Sequence, residues 1–180
     1  QPHVRPIVRG KTNAYIEFGA KIQVSIMKGI TFLEDISWEA FNEGTRLIST
    51  VENYKRRFGH YPKKVFADKI YCNRENRAKL KTLKITLVAK PLGRPSAKAV
   101  DNHIRPGDRN PIEGKFGQAK TTYGMNRIKA RLQNTSESWI ASIVLVLNLI
   151  KLIGRASLLL YFKQIDSVLV YIEKLMGKSQ

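Results

Sequence analysis

The chain has 180 residues and a net charge of +18, and 43% of its residues are hydrophobic and 26% charged. These values are typical of a globular protein with its own core and exclude an intrinsically disordered chain. The single cysteine, Cys72, excludes an intrachain disulfide and favours a reducing compartment. One cysteine and three scattered histidines also fit no structural zinc spacing.

The positive charge is concentrated in the middle of the chain. Residues 1–54 hold six Lys/Arg and six Asp/Glu, residues 55–131 hold 21 against five, and residues 132–180 hold five against three. Such a block suits a polyanion such as DNA, because each neutralised phosphate releases counterions. An anionic membrane surface is the competing partner, and a basic protein that is merely soluble is the third possibility.

The first residues predict a linker. Residues 1–13 are mostly polar and contain Pro2 and Pro6, which favour an extended chain with no core of its own. No signal peptide is recognisable at the start. We therefore expect the chain to be the C-terminal part of a longer protein.

A hairpin and a helix are predicted next. Residues 20–27 alternate apolar and polar side chains, Lys28-Gly29 predicts a turn, and residues 30–36 return as a second strand. From about Ser37 the period becomes helical, and Gly59 is expected to end the helix. The apolar face of this helix comprises Phe41, Leu47, Ile48, Val51, Tyr54 and Phe58.

The basic block predicts a strand, a helix and a second strand. Residues 63–67 form a short strand that places Asp68 at its C-terminal edge, and Asn73 caps a helix over 74–83. Residues 84–89 are rich in β-branched side chains and predict another strand. Residues 91–108 are rich in Gly, Pro and basic residues and predict a loop.

The last third is predicted to be helical. One helix starts near Asn110 and breaks at Gly124, and Asn134-Thr135-Ser136 is a cap for the next. The apolar run 139–162 invites a transmembrane assignment, but Asn148, Lys151 and Arg155 interrupt it. We therefore favour a helix buried against the sheet, with a further helical packing or pairing surface after Gly154. The complete order, β-β-α-β-α-β-loop-α-α, is a mixed α/β layout.

One stretch carries the strongest chemical signal. Arg109, Glu113 and Lys120 follow R-x3-E-x6-K spacing, which on a helix places the three side chains within roughly 40° of one another. A solvated helix face with an ordinary Arg109–Glu113 ion pair is the simplest interpretation. Asp68 at a strand end is similarly often a cap or turn former, although α/β folds also place functional side chains there. Together, two carboxylates in a very basic segment favour metal-assisted phosphodiester chemistry, since Mg²⁺ prefers carboxylate and substrate oxygens.

Two stretches resemble the second and third catalytic blocks of bacterial insertion-sequence DDE transposases. They are Ala67-Asp68-Lys69-Ile70-Tyr71 and the segment from Arg109-Asn110-Pro111-Ile112-Glu113 to Lys120. The N-terminal segments 2–11 and 17–21 are also similar to the region that leads into the second strand of that family. The similarity runs to about Gly154, and the tail after it matches less well.

The resemblance implies a ribonuclease-H-like (retroviral-integrase-like) fold in which three acidic residues bind two Mg²⁺ for DNA strand cleavage and transfer. By position, Asp68 matches the second Asp and Glu113 the Glu, so both would be catalytic metal ligands. Arg109 and Lys120 match the basic residues of the Y-x2-R-x3-E-x6-K signature, whose Tyr is replaced by Pro106. The first Asp has no counterpart here, which implies that the first strand lies upstream of Gln1 and that this chain alone is inactive.

These inferences define the expected organisation. Residues 1–13 are the linker, residues 14–133 a partial catalytic domain that lacks its first strand, and residues 134–180 C-terminal helices that pack on it. DNA, as transposon ends and target, is the expected partner, with Arg109, Lys115, Lys120 and Arg127 on its phosphates. We expect a bacterial cytoplasmic, nucleoid-associated protein, possible homo-oligomers in a synaptic complex, and no membrane. A non-catalytic basic nucleic-acid-binding domain is the alternative, and a membrane-associated protein built on residues 139–162 comes third.

Overall fold

Six strands and four α-helices make up the part of the chain that the structure, a computed structural model, describes: residues 1–11, 14–89 and 110–176. Two short 3-10 turns, Glu43–Arg46 and Lys69–Tyr71, connect some of them. The elements are β1 (Pro6–Lys11), β2 (Ala14–Phe18), β3 (Lys21–Met27), β4 (Ile30–Ser37), α1 (Leu47–Phe58), β5 (Lys64–Phe66), α2 (Arg74–Thr82), β6 (Thr86–Val88), α3 (Asn110–Thr121) and α4 (Gln133–Met176).

The predicted hairpin is confirmed. β3 and β4 pair antiparallel from Lys21 opposite Ser37 to Met27 opposite Ile30, with one shift of register between Gln23 and Val24. The turn residues Lys28 and Gly29 both have positive φ, 51° and 81°. Such φ values match a two-residue hairpin turn, whose backbone twist follows that of the strands.

The first residues form a hairpin and not the extended linker that their composition predicts. β1 pairs antiparallel with β2, and Ile7 is buried at 8% exposure. Pro6 does not prevent this, because a proline at the first residue of a strand withholds no ladder hydrogen bond from a neighbour. The pairing depends on a second strand that local composition does not reveal, and the division into domains stays a prediction.

The helix after the hairpin ends where the sequence predicts and starts later. Gly59 follows α1 with φ 77° and donates its backbone N–H to the carbonyl of Lys55. The helix begins only at Leu47, because Asn42 caps the first 3-10 turn through a hydrogen bond from the Gly44 N–H. Phe41 therefore lies before the helix and not on its apolar face.

The strand–helix–strand prediction in the basic block is confirmed. β5 and β6 pair in parallel, with Lys64 opposite Thr86, and α2 is the crossover that a parallel pair requires. Asn73 caps α2 by accepting a hydrogen bond from the Asn76 N–H at 2.8 Å. The core of this unit is one cluster, in which α1 supplies two residues and α2 with β6 the others: Leu47, Val51, Leu80 and Ile85.

The mixed α/β class is confirmed, but the predicted mixed sheet is divided. Among the described residues there are three two-stranded sheets, β1–β2, β3–β4 and β5–β6. The free edge of β4 is covered by α4, where the Asn148 side-chain amide bonds both the N–H and the carbonyl of Thr31 at 2.8 Å. Asn148 thus takes the place of a neighbouring strand at that point, which explains one polar interruption of the apolar run.

The C-terminal region is one helix instead of several. α4 is continuous over 44 residues and passes through Gly154 without a break. Its predicted cap lies inside the first turn, where the Thr135 and Ser136 hydroxyls donate to the carbonyls of Leu132 and Ala130. α3 packs on α4 through a cluster of Ala119, Ile143 and Leu147.

α4 is also long and apolar enough to cross a membrane, judged by length and composition over Gln133–Ser167. Only 19% of its most apolar window is buried, so the prediction of a helix buried against the sheet holds for one face of the first half only. That face carries Ile140, Ile143, Val144 and Leu147. One such helix is weak evidence for a membrane segment, because helices of soluble proteins pass the same test.

A nearly inaccessible carboxylate joins the β3–β4 hairpin to α1. The Glu34 side chain is 2% exposed and accepts hydrogen bonds from Arg57 at 2.6 and 3.0 Å and from Asn53 at 3.0 Å. The Ser25 hydroxyl donates to it at 2.5 Å. Burial raises the pKa of Glu34, but these donors, Arg57 first, outweigh burial and hold that pKa below its ordinary value of 4.5.

We expect Glu34→Gln to lower the free energy of unfolding by about 2 kcal/mol, because it leaves buried donors without a charged acceptor. A carboxyl with a depressed folded-state pKa stabilises the fold above pH 4.5, and this contribution is lost as the pH falls through the folded-state value. Chemical denaturation at several pH values should therefore show a loss of stability on acidification that is smaller in the variant. The control is Glu75→Gln, which breaks only an exposed pair with Lys79 on α2 and should leave stability nearly unchanged. Equal effects of the two variants would contradict the assignment.

Candidate active site

Asp68 lies at the C-terminal edge of β5, as the sequence predicts. β5 ends at Phe66, and the next residue, Ala67, donates its N–H to the carbonyl of Val88 at the end of β6. Asp68 then caps the second 3-10 turn, with its Oδ1 accepting the Lys69 N–H at 2.6 Å. Capping does not exclude a second role, because a carboxylate has two oxygens and the side chain is half-buried.

A polar contact beneath this turn sets its position. Asn76 on α2 is 3% exposed, and its Nδ2 donates to the carbonyls of Gly44 at 2.7 Å and Tyr71 at 2.9 Å. The two 3-10 turns are pressed together there, since a Cβ at Gly44 would lie 2.7 Å from the Ile70 carbonyl oxygen. The turn that begins at Asp68 is therefore held from below by α2 and from the side by the first 3-10 turn.

Two carboxylates affect the pKa of Tyr71, which lies in the same turn as Asp68. Burial, followed by the negative charges of Glu43 and Asp68, raises the pKa of Tyr71 to about 12. The phenol therefore stays neutral near pH 7. Glu43 itself pairs with Lys21 at 3.1 Å. The residues around Asp68 thus include a second acidic side chain that the sequence pattern does not single out.

Glu113 and Lys120 both lie on α3, as predicted. Glu113 is in its first turn and exposed, and Lys120 is in its last turn and also exposed. Two helical turns separate them, so they share one face, and Gly117 lies between them on that face. No described residue comes within 4 Å of a Cβ built at Gly114 or Gly117. Among the described residues, therefore, nothing packs against the helix at these two glycines.

The other predicted DNA contacts have separate surroundings. Lys115 is half-buried, and its Nζ lies 3.4 Å from Gln118 Oε1. Arg127 is exposed in the segment between α3 and α4. Arg109, its predicted pair with Glu113, the loop 91–108 and Pro106 lie outside the described residues.

Asp68 and Glu113 lie on different elements of the fold. The principal neighbours of α3 are α4 and β3, whereas Asp68 follows β5 and its turn contacts the first 3-10 turn. Within residues 1–11, 14–89 and 110–176, no group of three or more His, Cys, Asp and Glu side chains could hold a metal ion. Mg²⁺ is usually bound through one or two carboxylates together with waters and substrate oxygens. The described residues therefore show no complete metal centre, and the roles of Asp68 and Glu113 as ligands stay a prediction.

One groove in the described part of the chain is lined by neither of these carboxylates. It has a volume of about 410 Å³ and is lined by residues on α4 and by Tyr123, including Ser138, Trp139, Ser142 and Val146. It contains no carboxylate or basic side chain, so it offers nothing for phosphodiester chemistry.

A carboxylate at the end of a parallel strand, a second carboxylate on a helix and a strongly basic sequence are features of an α/β protein suited to nucleic acid. Residues 65–150 match the family model described as Transposase DDE domain, so over this stretch the chain is similar to the DDE transposases. This match confirms the resemblance seen in the sequence. No curated protein and no solved structure shows a significant match. DDE transposases carry out DNA transposition, generally use a divalent metal, have DNA as a partner and are typically soluble cytoplasmic proteins.

The sequence analysis did not identify the residues that position Asp68. Gly44 and Asn76 have no motif of their own, because their roles depend on the contact between the two 3-10 turns. The only local hint is Asn73, which caps α2 and brings Asn76 into its first turn.

Asn76→Ala should lower the free energy of unfolding by about 2 kcal/mol, because it removes the donor to the Tyr71 carbonyl and leaves the Gly44 carbonyl only the longer bond from Asn73. The turn at 68–72 should also exchange its amide hydrogens faster, which hydrogen-exchange mass spectrometry can measure. Asn134→Ala, at an exposed position in the first turn of α4, is the matched control and should leave both quantities close to wild type. Unchanged exchange at 68–72 in the Asn76 variant would mean that Asn76 does not position this turn.

Proposed function

We propose that this chain forms part of the catalytic domain of a DDE transposase, with Asp68 and Glu113 as two of its catalytic carboxylates in DNA strand cleavage and transfer. The observation that carries the proposal is the family match over residues 65–150, which includes both residues. The position of Asp68 at the C-terminal edge of β5 supports it, because α/β proteins place functional side chains at such edges.

The proposed basic residues hold the DNA backbone. Lys120 shares one face of α3 with Glu113, so a phosphate beside Lys120 would lie along the same helix surface as the carboxylate. Lys115, Arg127 and Arg109 would add phosphate contacts nearby. Such contacts position the DNA without specifying its sequence.

The third carboxylate is proposed to come from a further strand. The separation of the β3–β4 and β5–β6 sheets supports this idea, since one further strand between them would make a single mixed sheet. Asn148 and α4 already cover the free edge of β4, which leaves the edge of β3 for that strand. In the complete enzyme the three carboxylates would hold two Mg²⁺, and this chain alone would neither cleave nor join DNA.

The cellular setting is part of the same proposal. We expect the protein in the bacterial cytoplasm, associated with nucleoid DNA, and assembled as a homo-oligomer on transposon ends. A basic nucleic-acid-binding domain without catalytic activity is the alternative, and the Glu113 experiment separates the two.

Glu113→Ala in the complete transposase should abolish Mg²⁺-dependent nicking of transposon-end DNA while leaving DNA affinity intact or raised, because it removes a ligand and a negative charge together. Nicking assays and equilibrium binding at fixed salt measure the two effects. The present chain, assayed in the same way, should bind DNA without nicking it.

The matched control is Glu75→Ala, which removes an exposed carboxylate from the first turn of another helix, α2. This variant should keep full nicking activity. Nicking by the present chain alone, or by the complete enzyme with Glu113→Ala, would overturn the proposed role.

Gly117→Ala tests whether DNA approaches the face of α3 that carries Glu113 and Lys120. An alanine in a helix interior is favoured over glycine by about 0.5–1 kcal/mol, so the variant should unfold at a higher temperature. DNA affinity should fall if the backbone passes between Glu113 and Lys120. Gly114→Ala, about 100° around the helix from Glu113, should give the same stabilisation without the loss of affinity. An equal change of affinity in both variants would contradict this docking face.

A further inference from the structure

A second group of cations lies at the edge of β5–β6 opposite Asp68. Because β5 and β6 are parallel, the last turns of α1 and α2 and the first residues of both strands meet at their N-terminal edge. The Thr86 N–H donates to the Lys63 carbonyl at 3.0 Å, which joins the two strands there. Eight exposed basic residues lie along this edge: Lys55, Arg56, Arg57, Lys63, Lys64, Lys79, Lys81 and Lys84.

Most of this charge is not neutralised within the fold. Arg57 pairs with Glu34 and Lys79 pairs with Glu75. None of the other six makes an ion pair with a carboxylate in the described residues. Glu52, which is on α1 beside this edge, accepts a hydrogen bond from the Tyr61 hydroxyl at 2.9 Å. The edge therefore carries a concentrated positive field.

Lys84 adds an independent observation, because it holds its cation in a backbone conformation that favours glycine. Its φ is 57°, and it follows Leu83, the C-cap residue of α2. The Lys84 N–H donates to the Lys81 carbonyl and the Ile85 N–H to the Leu80 carbonyl, which is the hydrogen-bond pattern of a helix ending that normally uses glycine. Cations in the last helical turns stabilise the helix dipole, but this reason does not apply to Lys63, Lys64 or Lys84. Lys84 therefore places a cation where glycine is the usual residue.

We infer that this edge, formed by Lys55, Arg56, Lys63, Lys64, Lys81 and Lys84, is a second binding surface for the phosphate backbone of double-stranded DNA. The inference rests on the proposed function, since strand transfer joins two DNA segments and needs a place for each. Asp68 follows Lys64 by four residues, or roughly 13 Å of extended chain, so the two surfaces lie at opposite ends of the strand pair.

Duplex DNA fits this edge better than an anionic membrane. Surface helices that bind membranes present large apolar side chains beside their cations. Here Phe58 packs edge-on against Phe32 with ring centroids 5.9 Å apart and against Tyr54 at 4.6 Å. Lys55 lies over the Tyr61 ring at 4.5 Å. These aromatic residues thus contact one another and the Lys55 cation, and although Phe58 is 38% exposed, the exposed side chains of this edge are mainly basic.

The test compares two triple variants of the full chain that each remove three exposed cations. The edge variant carries Lys63→Gln, Lys64→Gln and Lys84→Gly, and the last change also relieves the positive φ, so the variant should fold. The matched control carries Lys69→Gln, Arg74→Gln and Arg77→Gln near Asp68. Thermal unfolding verifies folding, and titration with a short labelled duplex at several salt concentrations gives stoichiometry, affinities and salt slopes.

The wild-type chain should bind two duplexes. In the edge variant, the affinity for the duplex bound at this edge should fall by about tenfold or more, and its salt slope should be lower by about 0.9 for each lost phosphate contact. The affinity for the other duplex should be unchanged. The control variant should instead lower the affinity for the duplex bound on the Asp68 side. If the edge variant binds both duplexes as wild type while the control does not, the inference fails and the proposed function stands.

If the wild type binds no DNA, the proposed function fails as well. Binding to vesicles that contain anionic lipid is the remaining measurement. Loss of vesicle binding by the edge variant, with DNA binding unchanged, would assign the edge to a membrane and overturn the inference.

Discussion

The carboxylate of Glu34 is the interaction on which the arrangement of this fold depends. No described strand pairing joins the β3–β4 hairpin to the β5–β6 pair, so α1 is the element that connects them. One side of α1 packs into the apolar cluster with α2 and β6, and the other binds Glu34 through Asn53 and Arg57. Two more polar contacts attach the hairpin to this region: Gln23 bonds Thr50 at 2.7 Å, and Arg46 pairs with Asp35 at 3.4 Å. The hairpin is therefore attached by directional polar contacts instead of a continuous sheet.

This attachment explains why the two ends of the β5–β6 pair have different characters. At the C-terminal edge, the two 3-10 turns pack closely through Gly44 and Asn76, and they hold Asp68 in a defined turn. At the N-terminal edge, the helices end and the strands begin, so the side chains project from helix ends and strand starts into solvent and are mostly basic. A parallel strand pair with one crossover helix produces this difference. The connections that leave the strands lie at one edge, and the connections that enter the strands lie at the other.

Local patterns predicted the elements that local forces determine. Alternation of side chains over Lys21–Met27 predicted a strand, and Gly59 and Asn73 predicted a helix end and a helix start, since each satisfies backbone groups within a few residues. The same reasoning failed where distant partners decide. Pro6–Lys11 became a strand because β2 pairs with it, and α4 continued through Gly154 because one glycine costs only about 1 kcal/mol in a long helix.

For the candidate site, the sequence by itself determined the family, the position of Asp68 after a strand, and the placement of Glu113 and Lys120 on one helix face. Each follows from residue spacing, which a short segment carries alone. Only the tertiary structure decided that Asn76 and Gly44 support Asp68, that the sheets are separate, and that cations from α1, β5, α2 and β6 meet at one edge. These features include contacts between residues far apart in the sequence, such as Asn76 and Gly44, which are 32 positions apart. They depend on packing and on parallel pairing, and no local period records which distant residues will become neighbours.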